Sequence, residues 1–280
     1  MQTIHSIKEL QACLSEAKNA GKSVGLVPTM GALHEGHASL VRRSVKENDV
    51  TVVSIFLNPT QFNDPKDLER YPRTLESDCK LLEQCGAQIA FAPSVSEMYP
   101  EPDTRSFSYP PTDSVMEGAR RPGHFNGVCQ IVSKLFMITE PDRAYFGEKD
   151  FQQICVIRRM VADLGFKMDI VHCPVIREAS GLAMSSRNSL LTPDEKVLAA
   201  NIYRVMKESL SRGLSVRDTE AWVTDTLNAI EGLEVEYYSI VNGETLAEVN
   251  SWDDAPHIVG CITVYCGHTP IRLIDHIRYK

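Results

Sequence analysis

Apolar runs and helical periodicity alternate from the start of the chain to about residue 174, and this alternation limits the folds open to it. After Ser6, the residues Ile7, Leu10, Leu14 and Ala17 recur at helical spacing, and Ser6 with Glu9 has the spacing of a capping box. Residues 24–27 are short, apolar and closed by Pro28, which is the pattern of a buried strand. A helix is expected over 37–47, a strand over 50–56, a helix over 75–84 and a strand over 88–92. After a proline-rich loop come a helix over 128–138, a short strand over 144–146, a helix over 151–164 and a strand over 168–173. Strands joined through helices pair in parallel and are covered on both faces, so this half predicts a doubly wound α/β sheet. The pattern then changes. Thr192-Pro193-Asp194-Glu195 opens a helix to about residue 212, a second helix covers 216–231, and 235–241 and 258–265 read as strands. The expected organisation is an α/β domain over 1–175 and a smaller α+β C-terminal domain over 176–280.

A net charge of −8 excludes a broad electrostatic footprint for nucleic acid or an anionic membrane, but leaves room for a small basic pocket. No stretch approaches the ~20 consecutive apolar residues that cross a bilayer. The start, MQTIHSIKEL, lacks the basic and apolar regions of a secretory signal. The eight cysteines form no C-x-x-C pair and several sit in apolar runs, as reduced core thiols do. A cytoplasmic protein is the expectation.

In doubly wound sheets ligands bind beyond the carboxyl ends of the strands, and the unusual residues of this chain fall there. Met30-Gly31-Ala32-Leu33-His34-Glu35-Gly36-His37 follows the first long strand and contains H-x-G-H at a strand-to-helix junction. A helix start offers unsatisfied N–H groups and a positive dipole end, which suits phosphate. His34 and His37 lie one turn apart and would face it together. The competing readings are a plain helix start and a zinc pair, and zinc needs about two further ligands that no Cys or His spacing supplies. Met184-Ser185-Ser186-Arg187 lies at the domain boundary, where small hydroxyls and a forked guanidinium can wrap a triphosphate; in isolation it would read as a polar linker. Gly147-Glu148-Lys149-Asp150 follows a later strand, with Gln152 and Gln153 at the start of the next helix; alone it would be a solvated turn. Gln61 closes the loop Asn58-Pro59-Thr60-Gln61. Its amide can donate to a carboxylate and accept from a hydroxyl, which fits a small hydroxy acid, or it can serve the turn itself. The segment 120–127, RRPGHFNG, is either a basic rim to a pocket or a solvated loop.

Taken together, VPTMGALHEGH (27–37), FLNPTQF (56–62), YPRT (71–74), RPGHFNGV (121–128), FGEKDFQQ (146–153) and SSRN (185–188) occur in the order and spacing of the pantothenate synthetase family. The pairing of H-x-G-H with SSR also resembles the way nucleotidyltransferases related to class I aminoacyl-tRNA synthetases hold ATP. The resemblance implies a Rossmann-like N-terminal domain with a C-terminal lid, a homodimer and a requirement for ATP with Mg2+. It implies a ligase that joins pantoate to β-alanine through pantoyl adenylate, releasing AMP and pyrophosphate. ATP would contact residues 30–37, Gly147, Glu148, Lys149 and Asp150, the backbone of Ile176, and Met184, Ser185, Ser186 and Arg187. Gln61 would bind pantoate and β-alanine, and Gln153 pantoate. His37 stands where the family places a proton donor, and His34, Lys149 and Arg187 would share the neutralisation of charge. The alternatives are another small-molecule nucleotidyltransferase, such as a cytidylyltransferase, and a non-catalytic ATP-binding regulator. A cytidylyltransferase would favour an Arg- or Lys-rich acceptor pocket, whereas Gln61 and Gln153 are neutral.

Overall fold

The computed structural model describes residues 1–63 and 65–280. The described chain folds as two compact units, and two short segments that precede residue 174 belong to the second. The first unit comprises Met1–Tyr109, Gly118–Gly147 and Val156–Cys173; the second comprises Pro110–Glu117, Glu148–Cys155 and Pro174–Lys280.

In the first unit the strands are β1 (Gln2–Ile4), β2 (Val24–Thr29), β3 (Val50–Ile55), β4 (Ile89–Phe91), β5 (Arg143–Gly147) and β6 (Asp169–Cys173). They form one parallel sheet in the order β1-β4-β3-β2-β5-β6. The helices are α1 (Ile7–Asn19), α2 (Glu35–Glu47), α3 (Pro65–Arg70), α4 (Leu75–Cys85), α5 (Val95–Met98), α6 (Met116–Arg120), α7 (His124–Thr139) and α8 (Phe151–Leu164), of which α6 and α8 run across the boundary between units. Val27, Val41, Val53, Leu82, Ala90 and Tyr145 are among the buried residues that seat helices on the sheet. The doubly wound α/β class read from the sequence is the observed one. One local expectation fails: Ser6 occupies the N-cap of α1 but makes no side-chain cap bond. Its intended partner Glu9 instead accepts from Gln2, and Glu97, distant in the chain, takes the first amide of the helix, Ile7 N–H, at 2.7 Å.

In the second unit α9 (Pro193–Ser209) and α10 (Val216–Asn228) cover an antiparallel sheet of β7 (Leu233–Asn242), β8 (Ile258–Cys266) and β9 (Ile271–Arg278), ordered β7-β8-β9. The helix start expected at Thr192 is observed, and Thr192 and Glu195 form a capping box at α9. Ile202, Met206, Val223, Leu227, Ile262 and Val264 lie in its main core. A second cluster of Met116, Phe151, Cys155, Val241, Val259 and Cys261 fastens the two inserted segments to the sheet. None of the eight cysteines forms a disulfide, six of them are buried, and burial pushes the Cys261 thiol well above its usual range. Among the described residues no helix is long and apolar enough to cross a membrane.

Candidate active site

In the first unit, the strand order reverses between β2 and β5, since β2 to β4 progress one way and β5 returns to the other side of β2. A crevice opens at such a switch point, beyond the strands' carboxyl ends. Three of the expected motifs follow β2, β3 and β5, the strands at that reversal.

After β2 the backbone turns through Gly31 (φ 84°) and Ala32 (φ 52°), two successive left-handed residues of which only the first is at ease there. Asp78 on α4 supplies the compensation. Its carboxylate accepts from Ala32 N–H at 3.0 Å and from Leu33 N–H at 2.8 Å, with Thr74 Oγ1 donating to it as well. His34 is then the N-cap of α2: its Nδ1 accepts from Gly36 N–H at 3.1 Å, while His37 Nδ1 accepts from His34 N–H at 3.3 Å. H-x-G-H is thus a capping box written in histidine. The two rings lie 4.1 Å apart, centroid to centroid. Because each Nδ1 accepts, the proton of each neutral ring sits on Nε2. Glu35 is the exposed member of this run, and its carboxylate pairs with Arg42, which lowers its pKa.

Gln61 ends a single helical turn, Pro59–Gln61, after β3 and is buried. Asn58 donates to its Oε1 at 3.1 Å, which makes Nε2 the donor end of the amide, and Nε2 donates to Met30 Sδ at 3.0 Å. Asn58 is itself held by four partners: it also donates to Gly127 O and accepts from Thr60 Oγ1 and Tyr99 Oη. The 120–127 segment, open in the sequence, is the platform beneath this turn. His124 Nδ1–H donates to Gln61 O at 2.8 Å, Arg121 backs it at His124 Nε2, and His124 begins α7 instead of ending a loop. A Cβ on Gly127 would stand 2.4 Å from Thr60 O, so only glycine allows α7 to approach this closely. The roles of Asp78 and His124 escaped the sequence reading because their partners are remote in the chain.

In the second unit, Glu148–Asp150 forms a single turn ahead of α8. Lys149 is only 17% exposed, with Nζ 3.9 Å from Asp150 Oδ1, and is no ordinary solvated lysine. Gln152 and Gln153, alike in sequence, diverge. Gln152 is buried and saturated, accepting from Glu117 N–H and donating to Thr112 O and Val115 O, whereas Gln153 is half-buried. Ile176 O accepts from Met184 N–H at 2.9 Å, and an antiparallel bridge of Arg177 with Ala183 makes 176–184 a small hairpin. Ser185 caps the turn that follows, Ser186–Leu190, through Arg187 N–H at 3.3 Å. The structure therefore groups Met30 to His37 with Gln61 and Gly147 in the first unit, and Glu148 to Asp150, Gln153, Ile176 and Met184 to Arg187 in the second. Among the described residues no group of three or more His, Cys, Asp or Glu is placed to hold a metal ion.

A doubly wound sheet whose switch point carries a histidine-capped helix start is that of an anion-binding α/β enzyme of the nucleotide-handling kind. The pantoate–β-alanine ligase family model matches residues 2–278. A pantothenate synthetase of Bacteroides thetaiotaomicron is 60% identical over 100% of this chain and 99% of its own length. The crystal structure of pantothenate synthetase from Thermus thermophilus is 42% identical and superposes with a TM-score of 0.92, covering 100% of this chain and 99% of the other. The pantoate–β-alanine ligase of Francisella tularensis, complexed with beta-gamma ATP and β-alanine, is 34% identical with a TM-score of 0.85, covering 100% and 98%. The chain belongs to the pantoate–β-alanine ligase family, ligases of pantothenate biosynthesis.

Proposed function

We propose that the chain condenses (R)-pantoate with β-alanine at the expense of ATP, through a pantoyl-adenylate intermediate. The observation that carries this reading is the histidine capping box beside an oriented Gln61. The Francisella relative, complexed with beta-gamma ATP and β-alanine, supports the choice of nucleotide and amine. In the first step a pantoate carboxylate oxygen attacks the α-phosphorus, and the bond to the bridging oxygen breaks as pyrophosphate leaves. In the second the β-alanine amine attacks the acyl carbon, AMP departs and the nitrogen gives up its proton.

The carboxylate is ionised near pH 7, so the first step requires no general base. Catalysis is alignment plus neutralisation of the charge that moves onto the departing phosphates. From the first unit, residues 30–37 and Gly147 contact ATP, and His34 and His37 offer Nε2–H donors held in that tautomer by their own backbone. His37 acts as a hydrogen-bond donor. Gln61 Nε2–H serves the pantoate and β-alanine carboxylates. From the second unit, Glu148, Lys149, Asp150, the backbone of Ile176, and Met184, Ser185, Ser186 and Arg187 contact ATP, with Gln153 on pantoate. Mg2+ would arrive with the nucleotide and add to the charge neutralisation. A homodimer and a reducing, cytoplasmic setting complete the proposal, the latter supported by eight cysteines that form no disulfide.

The test is turnover. With ATP, Mg2+, pantoate and β-alanine the protein should release pantothenate, AMP and pyrophosphate in equal amounts. Nucleotide transfer to a phosphate acceptor would make it a cytidylyltransferase-like enzyme instead. Binding without turnover would make it a regulator.

A further inference from the structure

One buried ion pair in the second unit lies outside the proposed chemistry. Arg177 donates from Nη1 to Asp275 Oδ2 at 2.6 Å and from Nη2 to Oδ1 at 2.9 Å, a fork on a carboxylate. The two side chains are 16% and 5% exposed. The guanidinium also donates to Gly181 O and stacks 3.5 Å over the Tyr203 ring, so its plane is fixed on every side. Arg177 is the residue after Ile176, and its backbone bridge to Ala183 closes the hairpin that leads into Met184, Ser185, Ser186 and Arg187. Asn188 ties the far end by donating to Glu178 Oε1 and to Ala183 O. Asp275 sits on β9, and the adjacent His276 stacks on Phe151 at 5.2 Å and 21°, directly after the Glu148–Asp150 turn. Two consecutive residues of one strand thus hold both of the unit's nucleotide segments.

Such a pair is a poor source of stability, because desolvating two charges offsets most of their attraction. What a fork adds over apolar packing is direction. The core of this unit is supplied by Ile202, Met206, Val223, Ile262 and their neighbours. We propose that Asp275, acting through Arg177, is a positioning residue for adenylate formation, fixing the hairpin that carries Ile176 and Met184 to Arg187 in register with the Lys149 turn. The proposal rests on the assignment of those residues to ATP.

The test compares wild type with Asp275→Asn, Asp275→Glu and Arg177→Lys in two half-reactions: pantoate-dependent exchange of labelled pyrophosphate into ATP, and conversion of supplied pantoyl adenylate with β-alanine. Circular dichroism and unfolding temperature report whether each variant folds. In folded Asp275→Asn, kcat/KM for ATP in exchange should fall on the order of 100-fold, the cost of a misplaced contact. Conversion of supplied adenylate should fall much less, since no triphosphate remains to be aligned. Asp275→Glu, which keeps the carboxylate, should recover part of the exchange rate. If Asp275→Asn fails to fold, Arg177→Lys, which keeps the charge and loses the fork, is read by the same ratio. Normal exchange in a folded variant, or equal loss in both half-reactions, would overturn the positioning role. Absence of pantoate-dependent exchange in wild type, with and without β-alanine, would instead overturn the ATP assignment, and the proposal with it.

Discussion

Asn58 determines which way round the Gln61 amide is presented, and that orientation separates a carboxylate binder from a turn residue. With Oε1 held by Asn58, Nε2 is the donor end of the amide and lies against Met30 Sδ. Gln61 was legible from its loop. The role of His124 was not, because nothing in a linear reading connects position 61 to a backbone contact 63 residues away. Lys149 is the residue whose role is easiest to mistake. A solvated lysine changed to alanine alters stability by at most ~0.5 kcal/mol and leaves chemistry intact. A lysine against departing pyrophosphate contributes on the order of 3 kcal/mol to the barrier, roughly 100-fold in rate. Lys149→Ala should therefore fold normally and form adenylate at least ~100-fold more slowly in single turnover, yet convert supplied adenylate with β-alanine nearly as well as wild type. Near-normal adenylate formation would return Lys149 to the surface-turn reading.

The loop between β2 and α2 is an element that depends on a neighbour. Its two left-handed residues are sustained by one carboxylate on α4, so the geometry of H-x-G-H depends on Asp78. Removing the acceptor leaves two loop amides unsatisfied, which costs on the order of 2 kcal/mol. Asp78→Ala should lower stability in urea by that order and weaken ATP binding measured by titration, while Asp78→Asn, which keeps one acceptor oxygen, should do less of both. ATP affinity unchanged in Asp78→Ala would show that the loop holds its shape alone. The long apolar strands and periodic helices of this protein were readable because burial imposes their patterns. β1 and β9 were not. β1 has only three residues, and β9 carries Arg272, Asp275 and His276 along its length. Those polar residues look like surface, but Arg272 forks onto Glu117 and pairs with Glu236, while Asp275 takes Arg177, and the pairings are invisible in one dimension.

At the scale of the whole molecule, two buried titratable groups give the fold a direction of pH sensitivity. His276 is 8% exposed, and its Nδ1 finds no hydrogen-bond partner among the described residues. Burial lowers its pKa from 6.5 to about 4 despite the neighbouring Asp275 carboxylate. The unfolded chain therefore binds the extra proton first as pH falls, so stability should drop between about pH 6.5 and 4, by on the order of 3 kcal/mol. Burial raises the Glu117 carboxyl, but hydrogen bonds and charge from Arg272 outweigh it and hold the group at about 2, against 4.5 when unfolded. That contribution is lost in turn as pH falls from about 4.5 towards 2. Urea unfolding across pH should show the first decline, and His276→Phe should flatten it; stability unchanged from pH 7 to 5 would contradict the buried neutral imidazole. On the proposed function, pantoyl adenylate forms before the β-alanine amine reacts. Exchange of labelled pyrophosphate into ATP tests that order most directly. Pantoate alone, without β-alanine, should support exchange; exchange that appears only when β-alanine is added would contradict the separate adenylate step and require a concerted reaction.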